Sequence, residues 1–223
     1  MIPVTFQVVE EAALLRHGSA AIAKRLPKPK STAELAAIPD DRWLSTMTRR
    51  VFQAGLKHEL VDNKWPAFEE VFQGFVPDRV AGLHDEDLEA MLEDKRIIRH
   101  MGKLQATRLN ARAMCDLAAE HGSFAGYVAH WPSTDITGLW ADLARRMKHL
   151  GGNSTPYFLR MMGKDTFVPT DPVVRSLAHW QVFDGPLKSK ASQAELQSVF
   201  NAWHTETGKP FSHLSMILAM SVD

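Results

Sequence analysis

Between Met147 and Trp180 the chain carries two features that could act together on a phosphate-linked sugar. The first is a small polar turn, Gly151-Gly152-Asn153-Ser154-Thr155-Pro156. Glycines there permit a sharp turn and close approach of another molecule. Asn153, Ser154 and Thr155 are residue types that cap helices, and Pro156 suits a first turn. A helix starting at such a point offers free N–H groups and a positive dipole end to a phosphate. The second feature is Asp171, followed by Pro172 and by Val173, Val174, Leu177 and Ala178 at helical spacing. A carboxylate facing a sugar whose glycosidic bond is breaking stabilises the oxocarbenium-like charge and positions or activates water. At about 4 Å and an effective dielectric near 20 that attraction is about 4 kcal/mol. Expressed only in the transition state, it corresponds to roughly a thousandfold in rate. Both features also have plain readings: glycine-rich turns join helices without a ligand, and Asp171 before Pro172 has the form of an N-cap with proline at N1.

A second group of candidates lies upstream. Arg96, Arg99, His100, Lys103, Arg108 and Arg112 follow a run of acids, Asp85, Glu86, Asp87, Glu89, Glu93 and Asp94. Much of this reads as a solvated helix surface, and Arg99, His100 and Lys103 are the phosphate-contact candidates. The remaining histidines show no metal-ligand spacing, and the single Cys115 excludes an internal disulfide framework or a multi-thiolate zinc site within one chain.

These residues must be positioned by helices. Apolar residues recur at three- and four-residue spacing from Phe6 to Leu26, Trp43 to Leu60, Gly102 to His121, Leu139 to Leu150, Pro156 to Met162, Pro172 to Trp180, Ala191 to Thr205 and Phe211 to Val222. Shorter helices are expected at Thr32–Ala37, Pro66–Phe72, Pro77–Leu83, Asp85–Leu92 and Phe124–Trp131. Asp40 and Asp41 are capping candidates, Ser192 with Glu195 forms a possible capping box, and Leu104, Leu109, Ala113 and Leu117 mark one apolar stripe. Period-two patterning is absent, so the expected class is all-α. Lys28-Pro29-Lys30-Ser31 reads as a linker, dividing an N-terminal appendage (1–39) from a main domain (40–223). The stretches 131–138 and 183–190 read as surface loops.

The 223 residues suffice for a sizeable core, and 45% hydrophobic with 23% charged content is ordinary for a globular protein. Twenty-six basic residues balance 26 acidic ones, which counts against indiscriminate coating of DNA but leaves room for a local basic face. The N-terminal residues lack a basic and then apolar leader pattern, and no apolar run approaches the roughly 20 residues of a membrane span. The cytoplasm is the expected location, with no membrane partner.

Ile97-Ile-Arg-His-Met-Gly-Lys-Leu-Gln-Ala-Thr-Arg-Leu-Asn-Ala-Arg112 closely resembles a signature of bacterial 3-methyladenine DNA glycosylase I, and Phe52-Gln-Ala-Gly-Leu56 resembles another of its motifs. The turn and Asp171 resemble the helix-hairpin-helix arrangement of the wider DNA glycosylase superfamily, with the hairpin at about 147–163. The similarity runs in matching order over roughly residues 40 to 180. It implies a bilobal helical fold acting on double-stranded DNA that contains a damaged, alkylated base. Asp171 would be the catalytic carboxylate, and Gly151, Gly152, Asn153, Ser154 and Thr155 would grip the backbone. Leu56 would enter the stack once the target nucleotide is extruded, although a core position on the Trp43–Leu60 helix explains it equally. Trp43, Arg50, Phe52, Gln53, His58 and Tyr157 would surround the base.

The chain departs from the family at four places. The family's base-recognition glutamate falls at Arg50 and a pocket tryptophan at His58. The zinc-binding His and Cys fall at Pro172 and Ser176, and the N-terminal Cys-containing segment has no counterpart. The resemblance therefore implies no metal and no cofactor, apart from a monovalent cation that hairpin carbonyls can hold. An arginine at position 50 repels a cationic purine and suits a neutral or acceptor-rich base; contact with phosphate or a pair with Asp41 are its other readings. Gly152-Asn153-Ser154 stand where bifunctional relatives place a Schiff-base lysine, so strand cleavage is not expected. A non-catalytic damaged-DNA-binding protein on the same scaffold is the alternative function, and a helical protein–protein module is the third.

Overall fold

The computed structural model describes residues 4–187 and 189–222. The N-terminal stretch read for a leader and the loop at 183–190 are thus covered in part. Among the described residues the chain is all-helical, as expected, with fourteen α-helices, short 3-10 turns and no strand. It divides into two compact units, one of residues 4–30, 132–139 and 163–222, the other of 31–131 and 140–162. The first break falls at 30/31, at the Lys-Pro linker, rather than at 39/40.

The second unit begins with α3 (Thr32–Ala36), capped by a reciprocal box between Ser31 and Glu34. The segment expected as one helix from Trp43 to Leu60 is two, α4 (Asp40–Gln53) and α5 (His58–Val71). Gly55 sits between them at φ +81, a conformation side-chain-bearing residues rarely adopt, and turns the chain. Pro66 lies inside α5, which starts eight residues before the expected Pro66 and ends at Val71, with Phe72 as its C-cap. Helices α6 (Pro77–Ala81), α7 (Asp85–Glu93), α8 (Met101–His121) and α9 (Phe124–His130) follow. Leu104 and Leu117 on α8 are buried but Leu109 is exposed; Asn110, Ala111 and Met114 complete the inward stripe instead. Trp43, fully buried, meets Phe124 and Phe158 edge-on, with centroids 5.7 and 5.8 Å away. A second aromatic cluster joins Phe52, Trp65, Phe68, Phe72 and Phe75. From Trp140 on, α10 (Ile136–Arg146) belongs to this unit; the helix starts three residues before the expected Leu139 and ends at Arg146. The supposed loop at 131–138 is a 3-10 turn followed by the first residues of α10, with 132–139 assigned to the other unit. α11 (Ser154–Met162) closes the unit.

The other unit contains α1 (Phe6–His17), α2 (Ser19–Arg25), α12 (Asp171–His179), α13 (Lys190–Thr207) and α14 (Phe211–Met220). Gly18, at φ +75, interrupts what periodicity suggests is one helix from Phe6 to Leu26. Phe6, Val9 and Ala13 are fully buried, with Phe6 against Trp203 at 5.2 Å. The capping box of α13 pairs Ser189 with Ser192, not Ser192 with Glu195, because the helix starts at Lys190.

Candidate active site

In the hairpin, α10 ends at Arg146 and the chain turns through 147–153 before α11. Gly152 takes φ +56, whereas Gly151 does not need the left-handed region; His149 adopts it at φ +60. Gly151 and Gly152 are exposed and Asn153 is half-buried. Ser154 and Thr155, expected with the glycines to grip a DNA backbone, are buried. The Thr155 hydroxyl donates to the Leu150 carbonyl at 2.5 Å, and the Ser154 amide donates to the Gly151 carbonyl at 3.2 Å. These bonds close the turn from within and leave the backbone of Gly151 and Gly152 exposed. The turn is also pinned from α8: Asn110 accepts the Lys148 amide at 2.6 Å and donates to the Lys148 carbonyl at 3.1 Å. Asn110 is 1% exposed. A buried amide in a helix interior must find polar partners, and that is the sequence signal that could have singled it out.

Asp171 is the first residue of α12 rather than its cap. Thr170 is the N-cap, its hydroxyl accepting the Val173 amide at 3.5 Å, and Pro172 follows within the first turn. The helix starts one residue earlier than the sequence reading placed it, with a chemical consequence. The Asp171 side chain is exposed and makes no hydrogen bond or ion pair among the described residues. Pro172 has no donor atom for zinc, and the Ser176 hydroxyl is buried at 1% exposure. These residues do not fit the family's zinc site.

The basic segment resolves residue by residue. Arg96 pairs with Asp94 and Glu70, Arg108 with Asp85, and Arg112 donates to the Ala81 carbonyl. Lys103 is turned inward: its ammonium donates to the carbonyls of Phe52 at 3.2 Å and Ala54 at 2.8 Å and lies over the Phe52 ring. Burial holds the Lys103 pKa below the ordinary lysine value, and the Arg50 charge adds to the effect. The expected phosphate contact at Lys103 therefore gives way to a role at the C-terminal end of α4, where a cation satisfies free carbonyls. His100 serves as the N-cap of α8, its Nδ1 accepting the Lys103 amide at 3.3 Å. Arg99 is exposed and carries no partner among the described residues.

Where α4 meets the turn before α5, the second unit opens a concavity of about 590 Å³. It is lined by the 53–58 stretch, Gln53 to His58, together with Arg50 and Tyr157. The structure thus gathers four of the six expected base-pocket residues, together with the expected intercalator. Trp43 and Phe52 are excluded, because both are 0% exposed and packed in aromatic clusters. Lys57 is a member the sequence reading missed. Leu56 lies outside the core, at 37% exposure in the turn. Gln53 is largely enclosed, its amide donating to Asp62 at 2.9 Å.

Arg50 has an unusual setting. Its guanidinium carbon lies 4.9 Å from the Tyr157 ring centroid, a cation–π contact. Nε is shut off from solvent with no hydrogen-bond partner. Burial lowers its pKa from the ordinary arginine value, opposed by Tyr157. It does not pair with Asp41, whose carboxylate lies 3.5 Å from Arg42. Arg50 thus leaves a charged fork facing a cavity with its acceptors still to be supplied.

The comparisons with known proteins agree with these elements. The family model described as methyladenine glycosylase matches residues 37–149, a span that includes the basic segment and the cavity lining other than Tyr157. DNA-3-methyladenine glycosylase 1 of Escherichia coli (strain K12) is 38% identical over 76 residues, 34% of this chain. That match spans 41% of the relative's length. A crystal structure of 3-methyladenine DNA glycosylase I is 25% identical with a TM-score of 0.51, covering 65% of this chain and 86% of that one. The 8-oxoguanine glycosylase/lyase of Methanocaldococcus jannaschii, crystallised with DNA containing 8-oxoguanine, is 17% identical with a TM-score of 0.54. It covers 96% of this chain and 94% of that one, a likeness of fold alone. With its all-helical fold and hairpin, and with more than half of its length matched, the chain belongs to the methyladenine glycosylase family.

Proposed function

We propose that this protein is a monofunctional DNA glycosylase that hydrolyses the N-glycosidic bond of a damaged, alkylated base in double-stranded DNA. The observation that carries the reading is the exposed, uncommitted carboxylate of Asp171 at the start of α12. A side chain used as a cap would have to break that bond to do chemistry; Thr170 removes the conflict. Asp171 stabilises positive charge at the sugar as the bond breaks and orients the attacking water. The exposed backbone of Gly151 and Gly152, beside the start of α11, receives a phosphate, and Arg99 adds a second contact. Leu56 fills the stack from which the nucleotide has left, while the concavity beside it receives the base. No step needs a metal or cofactor, and the cytoplasm is the setting this reading implies.

Single-turnover release of a damaged base from duplex oligonucleotides tests it. Asp171→Asn is expected to lower the rate by about a thousandfold, on the order of the electrostatic term above. Duplex binding should persist. Full activity in that variant would remove Asp171 from the mechanism.

A further inference from the structure

We propose that the Arg50 cavity selects a neutral purine lesion presenting O6 and N7 as adjacent acceptors, and that it excludes cationic alkylpurines. This deepens the base-excision reading and rests on it. The cavity lining carries Arg50, Lys57 and His58 and no carboxylate. Arg42, Arg49, Arg96, Arg108 and Arg146 all have acids within ion-pair distance, whereas Arg50 has neither an acid nor any hydrogen-bond acceptor among the described residues. Lys103 places a second positive charge near enough to feel it. A base that already carries positive charge meets repulsion here with nothing to offset it.

The guanidinium is a rigid planar fork that matches two acceptors side by side, and O6 with N7 on the purine edge is such a pair. The Tyr157 ring lies against the guanidinium, 4.9 Å from its carbon. The chemistry points the same way. A cationic alkylpurine leaves as a neutral molecule and needs no charge stabilisation. When a neutral purine leaves, the C1′–N9 electron pair goes to the base. Water oxygen bonds to C1′ and loses a proton, and the base takes up a proton, so water is consumed and no other reactant is required. Negative charge developing on the departing ring spreads toward N7 and O6, where Arg50 would hold it more tightly than in the ground state. Undamaged guanine presents the same edge, but a lesion that pairs poorly is cheaper to extrude.

The test is single-turnover release from duplexes carrying hypoxanthine or N1-methylguanine, both neutral, against N3-methyladenine or N7-methylguanine, both cationic. Wild-type protein is expected to release the neutral pair faster. Arg50→Gln should slow that release by about 10- to 100-fold. Arg50→Lys, which keeps charge and bulk, should still exclude the cations while losing part of the neutral-lesion rate; this guards against a merely misfolded variant. Faster release of the cationic pair, or neutral-lesion release unchanged in Arg50→Gln, overturns the proposal while leaving the base-excision reading intact. If no duplex is cleaved at the glycosidic bond, that reading fails, and duplex affinity then decides the pocket. Tighter binding of the hypoxanthine duplex than the N7-methylguanine duplex, abolished in Arg50→Gln, supports the selectivity; equal binding overturns it.

Discussion

Asp171 owes its freedom to its neighbour. A threonine at the cap position takes the amide that an aspartate would otherwise hold, and the carboxylate is left at the helix entrance facing solvent. Lys103 shows the converse and Arg99 does not, although both belong to one basic segment. Lys103 is absorbed by the α4 carbonyls, while Arg99, four residues earlier and outside the helix, is not. Side-chain type alone could not separate them, because a lysine and an arginine serve equally as phosphate contacts until their acceptors are known. The difference predicts a measurement. Arg99→Gln should weaken binding to any duplex severalfold and reduce the slope of log affinity against log salt by about one. Arg96→Gln, whose charge is spent on Asp94 and Glu70, should change that slope little. Fluorescence anisotropy at several salt concentrations distinguishes the two.

Among the helices, the recurrent device is an acid reaching across the fold to an N-terminus that lacks its own full cap. Asp40, expected to cap the helix it begins, instead accepts the amides of Phe124 and Ala125 at the start of α9, at 2.9 and 2.8 Å. Asp165 does the same for Phe211 and Ser212 at α14, and Glu206 for Phe6 at α1. α14 is preceded by proline and α1 by a threonine that makes no side-chain cap, so their free N–H groups need outside partners. Asp40→Ala is expected to cost about 2 kcal/mol, since two charge-assisted bonds vanish and leave partly buried donors. Asp40→Asn, which keeps one acceptor oxygen, should lose less. Urea denaturation midpoints provide the readout. Periodicity located nearly all of these helices, because an amphipathic stripe is a local property of the chain. It did not locate the breaks at Gly18 and Gly55, since a single glycine is compatible with a helix until neighbouring packing makes the turn more favourable. The Gly55 break matters for the site: it ends α4 just after Arg50 and brings His58 and Lys57 to the same concavity.

At the level of the whole chain, the two units are interleaved in sequence: the N-terminal helices belong with the C-terminal ones, and residues 31–131 and 140–162 form the other unit. The first unit also contains a buried lysine. Lys164 is 5% exposed, and burial lowers its pKa to about 8 from the ordinary 10.5, with Asp165 opposing. A base whose folded pKa is depressed favours its neutral form in the fold. Its contribution is therefore complete above pH 10.5 and is lost as pH falls through about 8. Stability should rise between those values by up to about 3 kcal/mol from this residue alone. Lys164→Met should flatten that part of the profile, measured as thermal midpoints at pH 8 and pH 10. A rise of equal size in the variant would assign it to other groups.

Helical class, the hairpin and the motif around Ile97–Arg112 could be read from the chain, because each depends on residues close together along it. The cavity could not. Arg50 and Tyr157 are brought face to face by the packing of α4 on α11, and whether Arg50 had an acid beside it depended on where Asp41 and Asp62 found their own partners. Sequence supplied the charge; tertiary packing decided that nothing inside the protein would neutralise it.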